Sequence, residues 1–223
     1  MHYLAGNRSC AMTGNIMDKL TEIDPAHRLE SNVRSYVRSF PFLAKSASGS
    51  TIVAQDGTEY IDFLAGAGAL NYGHNCKVIR NALIDYLSED GITHSLDFAT
   101  VAKNRFIDAF DRLILQPRGM NFRFQFCGPT GTNAVEAAIK IARKVTGRRD
   151  VLGFTHGFHG MTTGSLQLTH NPYYKEGLPG LEQQGHKPLP FCACEEEQDA
   201  SLAAITETLQ SRLESDAAPA AII

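Results

Sequence analysis

The sequence lacks a large excess of either charge, since its formal net charge is -3 over 223 residues. A domain that binds nucleic acid usually carries a strongly basic face, so no DNA or RNA partner is expected. No apolar stretch approaches the roughly 20 residues that a helix needs to cross a bilayer. Residues 1–24 also lack the continuous apolar core of a signal peptide. We therefore expect a cytoplasmic protein with small-molecule chemistry and no membrane partner.

Paired cysteines are also absent. The five cysteines form an odd set and include no Cys-x-x-Cys pair. Cys192 and Cys194 are too close together for the usual zinc spacing, so no metal site is predicted. Hydrophobic residues make up 43% and charged residues 20% of the chain, as in ordinary globular domains. The length is enough to bury a substantial core.

A small antiparallel unit is predicted near the start of the chain. Residues 51–54 and 60–64 are strand-like runs on either side of a turn that contains Asp56 and Gly57. An Asp-Gly pair between such runs is a strong hairpin signal. Residues 1–28 show no comparable pattern and are predicted to be a poorly ordered lead-in. Residues 29–75 are thus the first structured segment.

The pattern changes after residue 75, where helices alternate with short apolar runs. This alternation is typical of parallel strands joined by crossover helices. Strands are predicted at residues 122–127, 151–154, 189–192 and 220–223. Residues 76–223 are therefore assigned to an α/β domain with a mostly parallel sheet. Such sheets bind ligands beyond the carboxyl ends of their strands, and the last predicted strand reaches Ile223. We expect this large domain to be incomplete.

The strongest local motif lies between the strand at 122–127 and a helix predicted over 133–146. Gly128 and Gly131 allow the backbone to turn sharply and to approach a bound group closely. Asn133 and Glu136 have the spacing of a capping box. The alternative interpretation is an ordinary capped helix that follows a strand.

The start of this helix suits a phosphate group. Free amide groups, the positive end of the helix dipole and the hydroxyls of Thr130 and Thr132 together favour a dianion. The motif is neither a Walker sequence nor Gly-x-Gly-x-x-Gly. A phosphorylated cofactor smaller than a nucleotide is therefore predicted.

A second motif places Phe158 and His159 between Gly157 and Gly160, after the strand at 151–154. A ring exposed in such a loop can stack on a flat cofactor, and His159 is a candidate for acid–base assistance. The alternative is simple packing. The motif follows the phosphate motif by one crossover unit, which favours the functional interpretation.

A third motif is the small-residue run that contains Gly66, Ala67 and Gly68. Small side chains allow a substrate to approach the main chain. A tight loop that links the small and large units explains the run equally well.

Together these motifs resemble class III aminotransferases, which have fold type I and depend on pyridoxal phosphate. The resemblance is carried by residues 29–36, 63–68, 71–75, 128–138 and 158–161, and it extends over nearly the whole chain from Leu29 onward. It implies that the chain is the N-terminal half of such an enzyme. Residues 29–75 would then belong to the small domain and residues 76–223 to the large cofactor-binding domain.

The resemblance also implies roles for individual residues. Thr130, Gly131 and Thr132 would bind the cofactor phosphate, and Phe158 would stack on its ring beside His159. Residues 66–68 would border the substrate pocket. In this family the lysine that forms a Schiff base with the cofactor lies beyond the position of Ile223, so the chain holds no main catalytic residue.

The similarity is strongest to the diaminobutyrate-forming subgroup, which serves ectoine or siderophore synthesis. This implies glutamate as amino donor, aspartate 4-semialdehyde as acceptor and a homodimer as the assembly. Two alternatives stay open. The first is another class III enzyme that acts on an ω-amino group, such as that of ornithine or 4-aminobutyrate. The second is a non-catalytic module that keeps the fold.

Overall fold

A computed structural model describes Leu29, Phe40 and residues 42–179, 188–192, 198–215 and 217–223. The lead-in predicted for residues 1–28 lies outside these residues, as does nearly all of the segment from 30 to 41. The chain divides into two compact units, one ending at Lys103 and the other beginning at Asn104. The sequence predicts a domain boundary after residue 75 instead, and that assignment stays a prediction.

The first unit contains a three-stranded antiparallel sheet in the order β1-β2-β3. The strands are β1 (Ala44–Ser48), β2 (Thr51–Ala54) and β3 (Glu59–Ile61). The β2–β3 turn contains Gly57, whose φ of 89° lies in the left-handed region that glycine readily adopts. The predicted hairpin is confirmed, and β1 adds a third strand to it.

Two helices follow this sheet. Helix α1 spans Lys77–Ser88, and α2 spans Val101–Phe110 across the boundary between the units. A π-helical turn at Asp111–Leu115 and a 3-10 turn at Gln116–Arg118 continue α2. The α-helical geometry thus ends at Phe110, and the helical turns continue through Pro117, which lies in the first turn of the 3-10 segment, where a proline is tolerated.

The second unit alternates helices and strands. Its elements are α3 (Gly131–Thr146), β4 (Val151–Leu152), α4 (Thr163–Leu168), α5 (Gln198–Glu214) and β5 (Ala221–Ile222). β4 and β5 are parallel, with Val151 opposite Ala221. Phe154 forms a further parallel bridge with Leu189. The parallel pairing predicted for this part of the chain is confirmed.

The segment that contains β4 has a neighbour on each side. The carbonyls of Asp150 and Leu152 accept hydrogen bonds from the amides of Ala220 and Ile223, whereas the carbonyl of Gly153 accepts from Leu189. Successive carbonyls of a strand point to opposite sides. The 150–155 segment is therefore the middle of three parallel segments.

Two predicted strands are not formed as strands among the described residues, and of these 189–192 makes only the isolated bridge at Leu189. Residues 122–127 belong to no strand of the sheets formed by the described residues. A strand is defined by a partner that takes up its amide and carbonyl groups. An apolar, β-prone run without such a partner therefore stays irregular.

Helix α3 buries a different face from the one its apolar residues predict. The sequence suggests a core-facing stripe of Ala134, Ala138, Ile141, Ala142 and Val145, but Val145 is 78% exposed and Ile141 46% exposed. The buried residues are Ala137 and Ile139, and the helix packs against α4 and β5. The core of this unit also contains Leu152, Leu166 and Leu189. None of the described helices is long and apolar enough to span a bilayer.

Candidate functional site

The start of α3 offers free main-chain donors. The helix begins at Gly131, two residues before the predicted start, and Thr130 is its extended N-cap with φ -124° and ψ 156°. The amides of Gly131 and Thr132 bond to no backbone acceptor among the described residues. Unpaired amides of a first helical turn point outward along the axis and, with the helix dipole, favour an anion.

The threonine hydroxyls of this turn are engaged within the chain. Thr130 Oγ1 donates to Asn133 Oδ1 at 2.5 Å. Thr132 Oγ1 lies 2.8 Å from Thr162 Oγ1 and 2.6 Å from Ser165 Oγ. A hydroxyl has a single proton, so Thr130 cannot use its proton on a ligand while it donates to Asn133. The free donors of this turn are main-chain amides.

The predicted capping box is wrong. Asn133 is the third residue of α3 and not its N-cap, and the Glu136 carboxylate bonds to Thr162 and Ser165 instead of to the helix start. A Cβ on Gly128 would lie 2.8 Å from Cγ of Asn133. The glycine at 128 thus gives the Asn133 side chain its space beside the preceding loop.

The loop that carries Phe158 lies against the start of α3. Gly160 has a φ of 129°, and a Cβ there would overlap the Thr132 side chain. The Phe158 ring is 56% exposed and touches only the edge of Tyr174 among the aromatic rings described, with centroids 5.4 Å apart. More than half of the Phe158 surface is therefore open to solvent.

His159 has the opposite environment. Its backbone amide donates to Thr169 Oγ1 at 3.0 Å. Its Nε2 atom is buried and has no hydrogen-bond partner among the described residues. A Cβ on Gly157 would lie 2.8 Å from this nitrogen, so the imidazole packs on the Gly157 backbone. Burial lowers the pKa of His159, which favours the neutral ring.

The small-residue run forms a left-handed turn in the first unit. Gly66, Ala67 and Gly68 have φ values of 58°, 54° and 91°. Asp62 holds the start of this turn, because its Oδ1 accepts from the amide of Ala65 at 2.9 Å and its Oδ2 lies 2.7 Å from His74 Nε2. The Ala65 amide, followed by the His74 side chain, lowers the pKa of Asp62.

The structure thus brings part of the predicted set together. In the second unit Thr132, which follows Thr130 and Gly131 in the first turn of α3, contacts the segment that carries Phe158 and His159, while Gly66 to Gly68 belong to the first unit. Sequence reasoning missed Thr162 and Ser165. Their signal is the run of small and hydroxyl residues from Thr162 to Ser165, which permits close approach to a neighbouring helix. No cluster of three or more His, Cys, Asp or Glu side chains suited to a metal occurs in the described part of the chain.

Comparison with known sequences identifies a family for this chain. Residues 33–223 match the family model "Aminotransferase class-III". A diaminobutyrate–2-oxoglutarate transaminase of Halalkalibacterium halodurans is 50% identical over 171 residues, which are 77% of this chain and 40% of the relative. A protein of the same name from Oceanobacillus iheyensis is 48% identical over 195 residues, which are 87% of this chain and 45% of the relative.

Solved structures show the same fold. An amine transaminase from an uncultivated Pseudomonas species, in a PLP-bound form, has a TM-score of 0.68 at 23% identity and aligns with 88% of this chain and 46% of its own. A transaminase from a marine Virgibacillus has a TM-score of 0.69 at 18% identity, with coverages of 92% and 46%. The predicted fold class is confirmed. The chain spans less than half the length of the relatives that it matches.

Proposed function

We propose, because the chain belongs to the class-III aminotransferase family, that it forms the cofactor-binding half of a transaminase that uses pyridoxal phosphate. The observation that carries the proposal is the contact between the first turn of α3 and the segment that carries Phe158: Thr132 Oγ1 lies 2.8 Å from Thr162 Oγ1, and a Cβ on Gly160 would overlap the Thr132 side chain. An anion-binding helix start beside a flat apolar surface matches a ligand that is both a phosphate ester and an aromatic ring.

The first turn of α3 is not covered by another part of the described chain at Gly131. Apart from its own chain neighbours and the backbone of its helix, nothing lies within 4 Å of the place where a Cβ on Gly131 would stand. We infer that a phosphate can approach the Gly131 and Thr132 amides from this open side. When bound, pyridoxal phosphate supplies an aldehyde that exchanges amino groups and a ring that withdraws electrons from the reacting carbon.

The residues of this chain bind and orient rather than react. The helix start holds the dianion, and Phe158 covers one ring face and excludes water from it. His159 is kept neutral by burial, and its Nε2 faces the Gly157 backbone. This arrangement favours packing support of the loop over proton transfer.

The proposed reaction transfers the amino group of L-glutamate to L-aspartate 4-semialdehyde and gives 2-oxoglutarate and L-2,4-diaminobutyrate, for ectoine or siderophore synthesis. Support comes from relatives of this name that are about half identical to the chain. A Sinorhizobium fredii protein described only as an uncharacterized aminotransferase is 51% identical over 163 residues. Identity at this level is thus shared with a protein of unassigned substrate, which keeps ornithine or 4-aminobutyrate as alternative donors.

A substrate panel tests the proposal. The intact protein is incubated with pyridoxal phosphate and aspartate 4-semialdehyde, and glutamate, ornithine or 4-aminobutyrate is supplied as donor. We expect 2,4-diaminobutyrate with glutamate and a homodimer in light scattering. Turnover only with ornithine or 4-aminobutyrate as donor would favour the alternative enzyme. Cofactor binding without any turnover would favour a non-catalytic module.

A further inference from the structure

A hydrogen-bonded cluster joins α3 to the first turn of α4, which directly follows the loop of Phe158, and no role described above uses it. Glu136 Oε1 accepts from the Thr162 hydroxyl at 2.5 Å and from the Ser165 amide at 2.9 Å. Ser165 is fully buried. Its hydroxyl lies 2.6 Å from Thr132 Oγ1. The contacts therefore lead from the carboxylate in the second turn of α3 back to the first turn.

Two glycines permit this approach. A Cβ on Gly164 would overlap the Glu136 carboxylate, and a Cβ on Gly160 would overlap the Thr132 side chain. Both positions lie in or next to the segment that carries Phe158. The backbone of this segment is thus close enough to α3 for the Glu136 side chain to hold it.

The charge of Glu136 determines which groups of the cluster donate hydrogen bonds and which accept them. Burial opposes its ionisation, but hydrogen bonds from Thr162, Ser165 and Gly164 outweigh that effect and lower the pKa of Glu136. An ionised carboxylate only accepts hydrogen bonds, so the Thr162 hydroxyl must donate to it. Bonds of this kind are stronger than those between neutral groups.

The donor and acceptor roles of the other hydroxyl groups follow from the bond that Thr162 donates to Glu136. Ser165 Oγ is placed to donate to the carbonyl of Thr162 at 3.1 Å. The Thr132 proton then has two acceptors inside the cluster, Thr162 Oγ1 and Ser165 Oγ. Thr132 is therefore left with its main-chain amide for a bound anion.

We infer that Glu136 is a positioning residue that clamps the loop of Phe158 onto the first turn of α3 and so fixes the spacing between the anion-binding amides and the stacking ring. The inference rests on the proposed function, since this spacing matters only for a ligand that contacts both.

The test uses the intact protein with Glu136→Ala, Glu136→Gln and the control Glu207→Ala, which changes an exposed glutamate of α5. Hydrogen exchange of residues 157–168 is measured without ligand, and affinities are measured for pyridoxal phosphate and for inorganic phosphate. We expect Glu136→Ala to speed exchange of the Ser165 amide and to weaken pyridoxal phosphate binding by about tenfold. Phosphate affinity should stay within about twofold, because the free amides remain.

Glu136→Gln keeps the Oε1 acceptor and should recover most of both effects, while Glu207→Ala should change neither. If Glu136→Ala does not fold, Thr162→Val removes the same hydroxyl donor from an exposed position and is expected to act in the same direction. Equal losses for both ligands would mean that the helix start itself has collapsed, and this would overturn the inference.

Two further outcomes separate the inference from the proposed function. If the unaltered protein binds pyridoxal phosphate and Glu136→Ala binds it equally well, only the inference fails. If the unaltered protein binds no pyridoxal phosphate, the proposed function fails first and the inference fails with it.

Discussion

Phe158 and His159 are adjacent in sequence but occupy contrasting environments. The phenylalanine ring is largely open to solvent, whereas the histidine Nε2 is shielded by the Gly157 backbone. Gly157 contributes to the contrast, because a Cβ there would lie 2.8 Å from His159 Nε2 and would occupy the space of the inward ring. Substitutions of Phe158 and of His159 are therefore expected to have different measurable effects.

Replacement of Phe158 by alanine should weaken cofactor binding with little loss of stability. Stacking between aromatic rings contributes about 0.5–1.5 kcal/mol, so affinity should fall roughly 2- to 10-fold. An absorbance titration with pyridoxal phosphate measures the change. The matched control is Phe191→Ala, whose ring is 61% exposed and meets Phe154 edge-on. Equal losses in the two variants would contradict a stacking role.

His159 predicts a dependence of stability on pH. Because its pKa is lowered in the folded state, the unfolded chain binds more protons as the pH falls through the ordinary histidine value of 6.5. Stability should therefore decrease from pH 7.5 to pH 5.5, and His159→Gln should reduce part of that decrease. Urea unfolding at both pH values tests this, with the exposed His94→Gln as control. An unchanged pH slope in His159→Gln would contradict the prediction.

Among the elements, the left-handed turn that follows β3 stores measurable strain. Ala67 has a φ of 54°, a conformation that costs an L-residue about 1–2 kcal/mol. Ala67→Gly relieves this strain, but glycine also adds conformational entropy to the unfolded chain, which offsets part of the gain. We expect the free energy of unfolding to rise by at most roughly 1 kcal/mol.

A nearby alanine provides the control for this turn. Ala69 has a right-handed conformation with φ -72°. Ala69→Gly should destabilise the unit by roughly 0.5–1 kcal/mol, because glycine adds entropy without relief of strain. Denaturant titration compares the two variants, and the same sign of change in both would argue against stored strain at Ala67.

Local chemistry made some of these elements predictable and left others hidden. The β2–β3 hairpin is visible in the sequence because Asp56 and Gly57 specify their own turn. The run at 122–127 has strand composition, but pairing depends on a distant partner that composition does not reveal. The sequence predicts helix α3 but not its buried face, because the apolar stripe of the helix and the residues that it buries are different sets.

For the candidate site too, the sequence predicts local features but not contacts between distant parts of the chain. The proposed anion site at the start of α3 depends on residues that are close together in the sequence, so it could be proposed from the sequence alone, although the helix begins at Gly131 and not at the predicted Asn133. Glu136 bonds to Ser165, 29 positions away in the chain. A spacing rule that considers only three-residue separations assigned Glu136 to Asn133 instead. The contact between the two motifs of the site is thus a product of the fold.

At the scale of the whole molecule, this chain is shorter than the relatives that it resembles. It spans 40% and 45% of two of them. We expect the purified 223-residue chain to form no diaminobutyrate when mixed with pyridoxal phosphate, glutamate and aspartate 4-semialdehyde. Chromatography of the reaction products tests this. Turnover, with a borohydride-reducible cofactor adduct on one of its own lysines, would contradict it.

The middle position of the 150–155 segment has a consequence for synthesis on the ribosome. Val151 pairs with Ala221, 70 residues further along the chain. At roughly 5–20 residues per second, the ribosome needs about 4–14 s to make the intervening stretch. During those seconds the edge of the nascent strand that later pairs with β5 has no hydrogen-bond partner, and the Leu152 side chain lacks the neighbours that β5 provides. Chaperones that bind emerging apolar segments therefore have several seconds to act on this strand before its last neighbour exists.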